Sequence, residues 1–168
     1  KKKLKLTNNR FISNKIMLLH ELLTPSSALY GLEGGRKKRI LENAAEIISE
    51  QHTDMSVSSV VNGLHSREKL GSTGIGDGIA IPHCRLAECT EAKGYLVKLD
   101  EPIDFDAIDG KPVDLLFILI VPEDSTSEHL ATLAAIAELF SQEEARNALR
   151  ASQDSQSLYE TLCKLSAA

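Results

Sequence analysis

Two hydrophobic periodicities alternate along this chain, and each predicts a different kind of element. From Arg36 to Glu50 the apolar residues Ile40, Leu41, Ala44, Ile47 and Ile48 recur at helical spacing. Val57, Val60, Val61 and Leu64 repeat that spacing and predict a second helix. Between Leu70 and Pro82 the pattern breaks into GSTGIGDGIAIP, a glycine-rich turn leading to a short apolar strand. Tyr95, Val97 and Leu99 alternate with Gly94, Leu96 and Lys98 and predict another strand, and Asp109-Gly110 predicts a turn. The run from Leu115 to Val121 is apolar throughout and closes at Pro122, so it reads as a strand covered on both faces. Three Ser-x-x-Glu steps follow, at Ser125/Glu128, Ser141/Glu144 and Ser157/Glu160. Each fits a capping box, in which the two side chains satisfy free backbone N–H groups at a helix start. Helices, then strands, then helices predict a single-domain α/β sandwich around a central sheet.

Composition narrows the function more than the fold. A chain of 168 residues is one domain's worth and should bury roughly 70% of its unfolded surface. With 42% hydrophobic residues but only 4 Phe, 3 Tyr and no Trp, its core must be built from Leu, Ile, Val and Ala. A net charge of −5 argues against general nucleic-acid binding, which needs a basic face to neutralise phosphates. No apolar run approaches the ~20 residues of a membrane-spanning helix. Cys84, Cys89 and Cys163 cannot all pair, which favours a reducing compartment and predicts a soluble cytoplasmic protein. Residues 1–16 are rich in Lys and Asn, lack the features of a signal peptide, and precede a segment MLLHELLTP that reads like an ordinary start. They are expected to be an extension to a domain spanning 17–168, either added upstream or a native basic arm.

Chemistry concentrates at two of the five histidines. His20 lies in a short apolar segment, and His52 and His65 stand near predicted helix ends, where solvated or dipole-favoured positions explain them. His83 follows the strand Ile79-Ala80-Ile81 and Pro82, with Gly71, Gly74, Gly76 and Gly78 just upstream. Glycines let backbone N–H groups approach an anion, and Ser72 and Thr73 add hydroxyl donors, so Ser72, Thr73, Gly74 and Gly76 form a candidate phosphate-binding loop. A neutral imidazole beside such a loop has the lone pair needed to carry a phosphoryl group. A histidine packed against a sharp glycine turn is the plainer alternative. His129 falls in the first turn of a predicted helix, where the positive pole favours a neutral hydrogen-bonding imidazole, or simply a solvent-facing one. Arg67, just before the loop, could grip two phosphate oxygens, or could belong to a screened surface cluster with Glu68 and Lys69. The basic run Arg36-Lys37-Lys38-Arg39 reads as a solvated helix end.

Other chemistries fit poorly. Asp77 and Gly78 stand where a Walker loop needs Lys and Ser/Thr, and a dinucleotide loop should follow a strand rather than a helix. Cys84 and Cys89 form no Cys-x2-Cys pair, and neighbouring strand residues such as His83 and Cys84 point to opposite faces, so no metal is expected. Nothing specifies a base or oxyanion site for Cys84 as a nucleophile, and all three cysteines read as core filler.

The stretch REKLGSTGIGDGIAIPH, Arg67 to His83, resembles the active-site signature of fructose- and mannitol-type enzyme IIA domains of the bacterial phosphotransferase system. The segment PIDFDAIDGKPVDLLFILIVPE, residues 102–123, with EHL at 128–130, resembles the nitrogen-regulatory branch of that family. The likeness runs from about Leu22 to Leu165. It implies a mixed-sheet sandwich without cofactor, in which an HPr-like nitrogen-type phosphocarrier, itself charged by an enzyme I, phosphorylates His83. Arg67 and His129 would be the supporting active-site arginine and second histidine. Two roles remain open: a regulator read by protein partners, with potassium-transport or nitrogen regulators as targets, or a sugar-uptake intermediate passing phosphate to a separate IIB domain. Cys84 and Arg85 depart from the family pattern, where a small residue and Lys are common.

Overall fold

The computed structural model describes Leu19 and residues 22–125 and 127–167, without the side chains of Ser127 and Glu128. The extension at 1–16, the start at Met17, His20 and the Ser125/Glu128 capping box therefore lie outside the described residues. Among the described residues the strands and α-helices are, in chain order, β1 (Ala28–Leu32), α1 (Lys37–Gln51), α2 (Val57–Lys69), β2 (Gly74–Gly76), β3 (Ile79–Ala80), β4 (His83–Leu86), β5 (Lys93–Ile103), β6 (Val113–Pro122), α3 (Ser127–Phe140), α4 (Glu143–Arg150) and α5 (Ser155–Ala167).

Strand β6 organises the rest. Its residues alternate between two cores: Leu116, Ile118 and Ile120 pack with Ile40, Leu41, Ala44, Ile48, Val60 and Leu64 of α1 and α2. Leu115, Phe117, Leu119 and Val121 pack with Ile136, Phe140, Leu149, Leu158 and Leu162 of α3 to α5. This is the doubly covered strand that its unbroken apolar run predicted. The six strands form one mixed sheet in the order β1-β5-β6-β3-β2, with β4 also paired to β6. β3 and β4 both run parallel to β6, so they act as one strand interrupted at Ile81-Pro82. β5 is antiparallel to β6, and β1 is parallel to β5.

Four local readings change. Leu96, grouped by alternation with Gly94 and Lys98, is fully buried beneath the second helical layer, because β5 too is covered on both faces. Ser141 does not cap α4: its hydroxyl donates to the Glu138 carbonyl at 2.6 Å, while the cap position falls on Gln142. At α5 the cap is Asp154, whose Oδ1 accepts the Ser157 amide at 2.7 Å, and the Ser157 hydroxyl accepts the amides of Gln153 and Asp154. The box exists there, but it starts three residues earlier than the sequence pattern placed it. His65 lies inside α2 with its Nε2 buried and unpartnered, whereas His52 does sit at the helix end of α1.

Candidate active site

Helix α2 delivers the first group. It begins at an N-cap Ser56 whose hydroxyl accepts the Ser59 amide at 3.2 Å, and it ends with Arg67, Glu68 and Lys69 in its last turn. Gly63 lets this helix lie close on β4, since a Cβ there would sit 2.9 Å from the Cys84 sulfur. Arg67 reaches past the helix end: one terminal nitrogen donates to the Gly71 carbonyl at 2.8 Å, and Nε donates to His83 Nε2 at 3.1 Å.

The second group opens β4. His83 pairs with Leu119 of β6, and alternation sends Cys84 and Leu86 into the α1/α2 core while His83 and Arg85 face the other way. The His83 Nδ1 lies 2.8 Å from the Ile81 carbonyl. A carbonyl oxygen only accepts, so Nδ1 carries the proton and Nε2 carries the lone pair. Burial pushes the His83 pKa below its ordinary value, with the Arg67 and Arg85 cations acting the same way; the Ile81 bond and Glu68 oppose them. The ring is therefore neutral at pH 7.

The third group comes from α3. His129 is 5% exposed, in the first helical turn, and its ring centroid is 5.4 Å from that of His83 at an interplanar angle of 50°. Its Nδ1 is buried without a hydrogen-bond partner. Burial lowers its pKa too, followed by the neighbouring His83 and Arg85. Neutrality was expected from the helix pole; in the structure desolvation is the first cause. Parallel pairing of β4 with β6 brings these histidines to one rim, and Arg67 closes it.

The glycine loop sits differently. The Ser72 hydroxyl donates to the Phe105 carbonyl at 2.5 Å and accepts the Gly74 amide at 3.1 Å. The Thr73 amide donates to Glu68 at 3.2 Å, and its hydroxyl also donates to that carboxylate. A Cβ on Gly74 would lie 2.8 Å from Ala107, so the glycine admits close approach of the segment after β5. Gly76, at φ 104°, lies beside Asp109. These donors serve the protein's own acceptors and hold the corner on which Arg67 rests.

Two residues that the sequence reading placed on the surface are inside this corner. The Glu68 side chain is 6% exposed and pairs at 2.7 Å with the half-buried Lys37, which also lies 4.7 Å from the Phe105 ring centroid. The local signal was an anion in the last helical turn, where the dipole disfavours one. Among the described residues, no group of three or more His, Cys, Asp or Glu is arranged to hold a metal ion. None of the described helices is long and apolar enough to cross a membrane.

Comparison with known proteins matches residues 21–164 to the family "Phosphoenolpyruvate-dependent sugar phosphotransferase system, EIIA 2". The nitrogen regulatory protein of Pseudomonas aeruginosa is 45% identical over 142 residues, which cover 84% of this chain and 92% of that one. The crystal structure of nitrogen regulatory protein IIA-Ntr from Neisseria meningitidis superposes with a TM-score of 0.78 at 43% identity, covering 84% of this chain and 97% of that one. Mannitol enzyme IIA of Escherichia coli, in its complex with phosphorylated IIB, shares the fold at a TM-score of 0.68 and 17% identity, covering 84% of this chain and 97% of that one. The chain belongs to the type-2 EIIA family of the phosphoenolpyruvate-dependent sugar phosphotransferase system, as a homologue of the nitrogen regulatory proteins.

Proposed function

We propose that this chain accepts a phosphoryl group on His83 from an HPr-like, nitrogen-type histidine phosphocarrier and acts mainly as a regulator through protein contacts. The observation that carries this reading is the pair of bonds on one ring: Nδ1–H held by the Ile81 carbonyl, and Nε2 turned toward Arg67. Nε2 is thus the nucleophile. The phosphorus–nitrogen bond to the carrier's imidazole breaks as a new one forms to Nε2, and the carrier ring recovers its lone pair. Nδ1 keeps its proton, so the His83 ring becomes positive and the Ile81 carbonyl stabilises that charge. Arg67 Nε leaves the ring, and its guanidinium can then fork onto phosphoryl oxygens that bring about −1.5 to −2 charges. Neutral His129 supplies a further hydrogen bond without repelling the cationic ring. Ser72 and Thr73, next to the Gly71 carbonyl that Arg67 binds, support this arrangement by tying the loop to Phe105 and Glu68, and Gly74 and Gly76 let the loop turn tightly beside them.

The regulatory role is supported by the 45% identity to a nitrogen regulatory protein and by residues 102–123. Potassium-transport or nitrogen regulators are the targets it suggests. Incubation with phosphoenolpyruvate, enzyme I and the nitrogen-type carrier should place acid-labile label on the wild type and none on His83→Ala. Undiminished label on that variant would overturn the assignment. Efficient onward transfer from His83 to a sugar-permease IIB protein would replace the regulatory role with the sugar-uptake one.

A further inference from the structure

Arg67 and Glu68 are adjacent, yet their side chains part at the end of α2. The Glu68 carboxylate collects three donors: Lys37 Nζ at 2.7 Å, the Thr73 amide at 3.2 Å, and the Thr73 hydroxyl. The carbonyl of Thr73 in turn accepts the Ile81 amide at 3.0 Å. The Ile81 carbonyl holds His83 Nδ1 at 2.8 Å. These bonds form one continuous column from the Lys37 ammonium to the imidazole. We infer that Glu68 is a positioning residue for His83: through the backbone of Thr73 and Ile81 it holds the carbonyl that binds Nδ1–H, and it works with the direct Arg67 donor on Nε2 to keep the Nδ1–H tautomer.

The chemistry of the column requires an anion at this place. Only a carboxylate presents acceptors alone on both oxygens, so it can satisfy an ammonium, an amide and a hydroxyl together. Helix stability does not account for it, because the last turn of α2 is where the dipole opposes a negative charge. The far end is anchored too. Lys37 lies over the Phe105 ring, and the Phe105 carbonyl accepts the Ser72 hydroxyl beside Thr73. The Lys37 end of the column thus closes on the loop that carries Thr73, and the Ile81 backbone is held on both sides, by the Thr73 carbonyl at its amide and by His83 Nδ1 at its carbonyl.

The consequence for catalysis rests on His83 being the phosphoryl acceptor; the tautomer itself does not. The test is long-range 1H–15N NMR on the unphosphorylated full chain, which reads directly which ring nitrogen bears the proton. The wild type should show one His83 tautomer, protonated at Nδ1. Glu68→Gln keeps the shape but must turn an NH2 group toward one of the three donors, so the Nε2–H form should appear. Phosphoryl acceptance should fall about 10–100-fold, the scale on which outer-shell partners of functional histidines act, with little change in KM for the carrier. Thr73→Ser, which keeps the hydroxyl, should retain the Nδ1–H tautomer, whereas Thr73→Val should admit the other. A folded Glu68→Gln protein with a pure Nδ1–H tautomer overturns the inference. Should that variant not fold, an unchanged tautomer in Thr73→Val does the same. A tautomer shift in a protein that never takes label on His83 would instead sink the functional reading and leave this one standing.

Discussion

Arg67 and Arg150 occupy equivalent places in the chain, the last turns of α2 and α4, yet they are held in opposite ways. Arg150 forks onto Asp114 with bonds of 2.8 and 2.9 Å and also donates to the Asp77 carbonyl at 2.5 Å. Arg67 donates to a histidine nitrogen and a backbone carbonyl, both neutral, while the neighbouring Glu68 is engaged by Lys37. Helix position and residue type are the same; the formal charge of the acceptors differs. A guanidinium matched by a carboxylate is a clamp between helix and sheet. One left unmatched beside the proposed phosphoryl acceptor is free to meet an anion that arrives from outside.

The sharpest way to break this contrast is to remove each cation in turn. Arg67→Met should slow phosphoryl acceptance by about a hundredfold or more, the scale of losing one preorganised donor to a developing anion. Its urea midpoint should move little, because no buried carboxylate is orphaned. Rapid-quench transfer and denaturant titration would check both halves, and a large loss of stability with normal transfer would erase the distinction. Arg150→Met should do the reverse. It leaves the half-buried Asp114 without its partner, which is expected to destabilise the fold by about 1–3 kcal/mol while transfer stays at the wild-type rate. The smallest effect is one of pH. His83 and His129 have folded pKa values below the ordinary 6.5. The unfolded chain therefore takes up these protons first as pH falls, and stability should decline below about pH 6.5 by at most about 1.4 kcal/mol per pH unit for each ring. His129→Asn should flatten that decline in a urea-midpoint series from pH 7 to 5, whereas Arg150→Met should leave its slope unchanged.

Much of this arrangement was legible before any coordinates. The stripes Ile40-Leu41-Ala44-Ile47-Ile48 and Val57-Val60-Val61-Leu64 are local periodicities; Ile40, Leu41, Ala44, Ile48, Val60 and Leu64 became the buried faces of α1 and α2, while Ile47 and Val61 are only half-buried and Val57 is exposed at the start of α2. The unbroken run of β6 announced its two covers. Strand β1 was not anticipated: ALYGL is five residues with a glycine and no clear alternation, and its pairing partner lies more than sixty residues away in β5. Arg67, His83 and His129 were singled out by residue type and by the family resemblance, and the fold brings the three side chains together at one rim. Glu68 and Lys37 were misjudged because burial of an ion pair is a property of the partner, and 31 positions separate the two. Charge runs look solvated until the fold folds one member inward. The loop hydroxyls of Ser72 and Thr73 show the same limit, since a donor's vocation depends on which acceptor tertiary structure brings to it.

His83 stands on a strand joined to β6 from His83 opposite Leu119 to Leu86 opposite Pro122. Such a residue has no hinge on which to swing. If His83 takes the phosphoryl group proposed above, occupied and vacant forms should share one backbone, and a partner comparing them would meet the same silhouette twice. What it could tell apart is the sign of a single spot on that silhouette, so the regulation proposed above would rest on potential rather than on contour.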